Sequence, residues 1–292
     1  MEQSRPALAR VPAESLFVLG AVSQYVGAAL AVLLFDAVPA AGVAWLRVVS
    51  AAAALAAWRR PWRHSWAGES LRLVVLFGSA LALMNLSFYL AIDRLPLGTA
   101  VSIEFVGPIA VAAAGSRTGR DWTALGLGAT GMILLADAHI SGSPAGIGFA
   151  LGAAAFWATY IVLGHRIARR GLGVNGLALG MCAGVVAIAP IGLPESVPAL
   201  TDPALLVACI GVGLCSSVIP YVLDQVALRR LDRARFALLL CLLPLTATVT
   251  GAAVLDQRPS PLELTGIAVV VAAVALARGR GPGPADELET GG

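Results

Sequence analysis

The chain has 292 residues, 58% hydrophobic and 13% charged, with a net charge of +3 and a mean hydropathy of +0.84. Soluble domains carry about 25% charged residues, so this composition excludes a water-soluble globule and indicates an integral membrane protein. All twenty basic residues are arginine. That removes a P-loop lysine, a Schiff-base lysine and a serine–lysine dyad, and arginines scattered over loops do not make a nucleic-acid footprint.

In chain order, residues 1–14 carry Arg5 and Arg10 and form a cytoplasmic N-terminus. The apolar segment 15–35 exceeds the roughly 7–15 residues of a signal-peptide core, so it is the first membrane helix. Further apolar blocks run over 38–57, 71–92, 95–114, 122–138, 144–164, 173–193, 203–224, 235–254 and 261–278. Each approaches the roughly 20 residues that an α-helix needs to cross a bilayer core of about 30 Å. The sequence therefore predicts an all-α integral membrane protein of about ten transmembrane helices. The tail, residues 279–292, is rich in Gly and Pro, acidic and without aromatics, and is expected to be disordered and cytoplasmic.

With the N-terminus cytoplasmic, seventeen arginines fall in inside segments, whereas the outside loops hold only Arg94 and Arg258. This bias puts both termini inside. A slide of 136 residues superposes Ala91 on Ala227, Leu95 on Leu231, Pro108 on Pro244 and Gly115 on Gly251. Slides of 132 and 140 bring Leu19-Gly20-Ala21 onto Leu151-Gly152-Ala153 and Gly126 onto Gly266. The unit is five helices, an odd number, so the second half, 144–278, enters the membrane opposite to the first, 15–138. Inverted repeats of this kind mark secondary transporters, whose sites lie between the halves near the midplane.

The stretch VSIEFVGPIAV places Glu104, Gly107 and Pro108 within the fourth helix. Pro108 has no N–H and presses on the carbonyl of residue 104. Pro244 does the same to Leu240 in the ninth helix, and paired breaks point to a pathway, since open backbone at depth needs protein or water beside it. Two packing kinks are the plainer explanation. Glu104 lies too deep to reach an interface, and acids there usually line an ion or substrate path. A carboxyl neutral in oil and charged in water suits a group that exchanges a proton for substrate; a hydrogen bond to a neighbouring helix would also explain it.

Arg47, on the second helix, is the other charge at depth, a counter-ion for Glu104 or for a substrate carboxylate, or an arginine that snorkels outward. Gln24, Asn85, Tyr89, Trp157, Tyr160 and Tyr221 complete the candidate substrate and proton pathway with polar groups on aromatic walls. Asp224, five residues before Arg229, is a gate or salt-bridge residue near the cytoplasmic interface. No HExxH, GxSxG or GxGD motif is present, His64 and His165 fall in arginine-rich loops, and Cys182, Cys209, Cys215 and Cys241 lack CxxC spacing. Neither an enzyme nor a metal site is expected, and no cofactor beyond a coupling proton gradient.

The segment MNLSFYLAIDRLPLGTAVSIEFVGPIAVA, residues 84–112, resembles the threonine/homoserine exporters of the drug/metabolite transporter superfamily, the EamA-type carriers. WLRVVSAAAAL (45–55), ALGAAAFWATYIVLGHRIARR (150–170), LALGMCAGVVAIAPIGLP (177–194) and IPYVLDQVALRRLDRARFALL (219–239) agree, so the resemblance covers residues 15–278. It implies two inverted EamA repeats and a proton-coupled exporter working by alternating access. The EFxGP block is similar at Glu104, Phe105, Gly107 and Pro108, as are Arg47 and Asn85. The second half departs from the family pattern: Leu243 stands where an acid precedes the proline, and Gln257 where a Glu is usual.

The expected function is export of small neutral amino acids, threonine- or homoserine-like, or related metabolites, across a bacterial cytoplasmic (inner) membrane. Export of another metabolite or drug on the same fold, and a non-transporting scaffold or sensor, are the alternatives. Expected partners are a small-molecule substrate and the lipid bilayer, not nucleic acid. The small-residue face at Gly126, Gly128 and Gly131 leaves a homodimer open.

Overall fold

The computed structural model describes residues 12–66, 68–115, 119–139, 143–220, 223, 239–240 and 242–277. Its helices are α1 (Ala13–Leu34), α2 (Ala40–Arg59), α3 (Gly68–Ile92), α4 (Leu97–Glu104), α5 (Val106–Gly115), α6 (Gly119–His139), α7 (Pro144–Arg169), α8 (Gly173–Glu195), α9 (Val197–Thr201), α10 (Pro203–Gly213), α11 (Leu242–Leu255) and α12 (Pro261–Ala277). No strand occurs among the described residues. By length and composition α1, α2, α3, α7 and α8 can each cross a membrane, and Leu97–Val111, Trp122–Leu135, Pro203–Val218, Leu242–Leu255 and Pro261–Leu276 are shorter apolar stretches. These ten stretches fall on the ten expected blocks. The short α9 is an addition between the seventh and eighth, and the expected start of the ninth block lies outside the described residues.

Proline sets many of the helix starts. Pro12, Pro39 and Pro96 stand at the N-caps of α1, α2 and α4, while α7, α10 and α12 open on Pro144, Pro203 and Pro261. A first-turn proline loses no hydrogen bond, because the N–H it lacks would have no helical partner there. Where α2 ends, Arg60 takes a left-handed conformation, φ 47°, and its N–H returns to Ala56 O.

The packing has the symmetry of two exchanged five-span halves. The fifth and tenth spans, α6 and α12, lie together, as do α2 with α8 and α4 with α11. α3 lies on α7 and α8, and its equivalent, α10, lies on α1 and α2. Glycines carry these crossings. A Cβ on Gly78 would overlap the carbonyl of Gly180, and one on Gly213 would stand 2.7 Å from the Cβ of Ser50. A Cβ on Gly131 would sit 2.9 Å from Gly266 O, and one on Gly266 3.2 Å from Gly131 O. The paired positions 78 and 213, and 131 and 266, are each separated by 135 residues. Gly126 meets open space, so the equivalent of Gly266 is Gly131, five residues on.

One feature breaks the symmetry. α10 passes into a π-helical turn, Leu214–Val218, closed by the Ile219 N–H on Leu214 O. Single π turns widen the helix and often mark functional positions. The matching part of α3 is regular α-helix.

Candidate functional site

The fourth span is interrupted where expected. α4 ends at Glu104, Phe105 is its C-cap, and α5 begins at Val106. The bonds on either side survive, Phe105 N–H to Val101 O at 3.1 Å and Ile109 N–H to Phe105 O at 3.2 Å. The bond that Pro108 cannot donate is the one to Glu104 O. Gly107 lets α5 reach α7, since a Cβ there would overlap the carbonyl of Ala154. Phe105 meets Trp157 of α7 edge-on, ring centroids 4.9 Å apart. Pro244 is buried in the first turn of α11; its expected break at Leu240 adjoins residue 241, outside the described residues.

Glu104 is 8% exposed and Arg47 5%. Arg47 therefore does not snorkel. Its Nε donates to Ser217 Oγ at 2.8 Å and its Nη2 to Ser216 O at 2.9 Å. Pro220 follows this turn and has no N–H to return to its carbonyls. Ser23 Oγ of α1 donates to Cys215 O of the same turn at 2.8 Å, and a Cβ on Gly27 would lie 2.8 Å from the Cβ of Ser216. The π turn is thus held from α1 and α2 of the other half.

Arg47 acts electrostatically on Glu104, but among the described residues no salt bridge joins them. Both lie at one depth. Arg47 comes seven residues after Ala40, Glu104 seven after Leu97, and Asn85 seven before Ile92, about 10 Å from the same end of the bundle at about 1.5 Å per residue. The guanidinium covers the ring of Tyr89, 5.1 Å from its centroid. Tyr89 is 0% exposed, and its hydroxyl has no hydrogen-bond partner among the described residues. Leaving a buried hydroxyl unpaired costs about 1–3 kcal/mol.

Asn85 Nδ2 donates to Leu81 O within α3 at 2.8 Å. Gln24 is half-buried on α1, next to Ser23. Tyr160 stacks on Phe77, centroids 4.8 Å apart, nine residues before Arg169 at the far end of α7, and does not join the Arg47 cluster. Tyr221 and Asp224 lie outside the described residues.

Sequence reasoning missed two clusters. One is Ser216–Ser217, which the position of Pro220 could have flagged. The other closes the end of the bundle nearest Arg47 and Glu104. Thr99 Oγ1 donates to Glu263 Oε1 at 3.0 Å, Leu97 N–H to Gln257 Oε1 at 3.0 Å, and Ser260 N–H to Glu263 Oε2 at 2.8 Å. The Glu263 N–H returns to Ser260 Oγ at 3.2 Å, completing a capping box that S-x-x-E spacing signals. Thr99, Thr248, Gln257 and Glu263 line a cavity of about 30 Å³ there, room for a water or two.

The EamA-like transporter family matches residues 144–279. Over 246 residues the chain is 34% identical to the threonine/homoserine exporter RhtA of Escherichia coli K12, covering 82% of each chain. It is 35% identical over 248 residues to the threonine/homoserine exporter RhtA of Salmonella typhimurium LT2, covering 83% of this chain and 81% of that one. A solved crystal structure 20% identical in sequence superposes with a TM-score of 0.58, covering 90% of this chain and 96% of the other, a likeness of fold.

Proposed function

Because the chain belongs to the EamA-like transporter family, and is therefore a multi-pass membrane transporter and not an enzyme, we infer that it exports small neutral amino acids of the threonine and homoserine kind. The repeats, 15–138 and 144–278, alternate access to a site between them, and Glu104 carries the proton that drives the cycle. The membrane is the bacterial cytoplasmic membrane, with both termini cytoplasmic.

One observation carries this reading: an acid and an arginine, both nine-tenths buried, lie at one depth beside a helix break with no ion pair between them among the described residues. Unpaired charges at depth are expensive. They persist where a ligand or a proton completes them. The second half puts Leu243 and Gln257 where the family pattern has acids, which leaves more of the burden on Glu104, since the buried Glu263 is taken up by Thr99 and the Ser260 N–H.

The test is counterflow in proteoliposomes across an amino-acid panel at two pH gradients. Threonine and homoserine flux that rises with the gradient, and loses that dependence in Glu104→Gln, is expected. Flux indifferent to the gradient in the wild type would remove proton coupling, and absence of amino-acid flux would remove the substrate class.

A further inference from the structure

The Tyr89 hydroxyl is the one buried side-chain polar atom left without a hydrogen-bond partner among the described residues. Phe35 and Phe88 lie against the Tyr89 ring, centroids 6.0 and 6.1 Å away, and the Arg47 guanidinium covers it. Packing alone would be served by phenylalanine. Arg47 is half-engaged as well: two of its N–H groups hold the π turn, and a guanidinium has five. Unmet donors on α2 and α3 therefore lie side by side, the guanidinium 5.1 Å from the Tyr89 ring centroid.

We propose that Arg47 and the Tyr89 hydroxyl form a two-armed clasp for the carboxylate of the transported amino acid, seated between α2, α3 and the π turn. This rests on the amino-acid export reading and deepens it. An ionised carboxylate accepts from both arms, with about four lone-pair sites on two oxygens, and it compensates the arginine charge. A side-chain hydroxyl of the ligand would satisfy Tyr89 but leave Arg47 uncompensated. The clasp also joins the halves, because the arginine that holds the carboxylate on the first-half side is fixed to Ser216 and Ser217 of the second. Its ligand class is amino acids with a free α-carboxylate; amides and decarboxylated amines are excluded.

Tyr89→Phe, which removes one oxygen and keeps the ring, provides the test in two measurements. In counterflow the variant should need about tenfold more threonine, and about tenfold more 2-aminobutyrate, which has no side-chain hydroxyl, as expected for one lost hydrogen bond to a charged group. In detergent, L-threonine but not L-threonine amide should raise the wild-type unfolding temperature, with the effect weakened in Tyr89→Phe. A variant with unchanged half-saturation overturns the clasp, as does one impaired for threonine alone, since Tyr89 would then read the ligand hydroxyl. Wild-type protein that moves no amino acid fails the export reading; the clasp then stands only if the acid still stabilises over the amide, and falls otherwise.

Discussion

Proline 220 shows how one residue shapes the site. It has no N–H to return to the π turn before it, and Ser216 O of that turn accepts from an arginine of the opposite half at 2.9 Å. Arg47 and Glu104 were legible in the sequence because charges stand out in an apolar run. Their partners were not, since serines in a membrane helix carry no signal until a second helix brings a donor to them. Gly107 was legible as part of the break, but its use is steric. Gly107→Val should push α5 off the Ala154 carbonyl and destabilise the protein by about 1–3 kcal/mol, seen as a lower unfolding temperature in detergent. Glu104→Gln, which preserves shape, should leave that temperature within a degree or two while uncoupling flux from the pH gradient. A large thermal effect instead would make Glu104 a structural residue.

On the alternating-access cycle proposed above, helices rather than single side chains would decide which end of the pathway is shut. α4 carries Glu104, and its first turn is tied to the opposite half: Gln257 caps it at Leu97, Thr99 bonds Glu263, and Gly98 lies so close to Thr248 that a Cβ would overlap its hydroxyl. In that cycle, admitting water from this end would require α4 to leave α11 and α12 and give up these bonds. Thr99→Val with Gln257→Leu removes two of them, worth about 0.5–1.5 kcal/mol each, which should shift an open–closed equilibrium by about fivefold to a hundredfold. With the native cysteines replaced, Ser102→Cys, 0% exposed in this conformation, should then react faster with a membrane-impermeant maleimide. An unchanged rate would show that the contacts only cap helices. The break at Pro108 could be read from the chain, because a missing N–H is a local fact. The latch could not, because Thr99 and Glu263 are 164 residues apart and neither is unusual where it stands.

At the scale of the molecule, ten apolar blocks and an inverted repeat were legible because bilayer thickness sets helix length and repeated proline and glycine positions survive divergence. The register between halves was less so. Slides of 132, 136 and 140 each recovered a few identities, whereas the backbone crossings place Gly131 opposite Gly266 and make Gly213 the equivalent of Gly78, an offset no single run of identical residues reveals. The proposed orientation rests on arginine count rather than on packing, which is blind to which side is which. Seventeen arginines fall in the segments expected inside and two in the loops expected outside, a bias that on the proposed topology would hold both halves in place despite their opposite insertion. Reporter fusions should therefore be active outside when joined after residues 36, 94, 142, 202 and 257, and inactive there after 65, 118, 171 and 232. Moving arginines tests the cause: replacing Arg166, Arg169 and Arg170 with glutamine weakens the anchor of the second half alone, so the fusion at 171 should gain outside activity while that at 65 stays silent. If both sites respond together, the halves do not orient independently and the first dictates the second; if neither responds, packing between the halves outweighs the arginines.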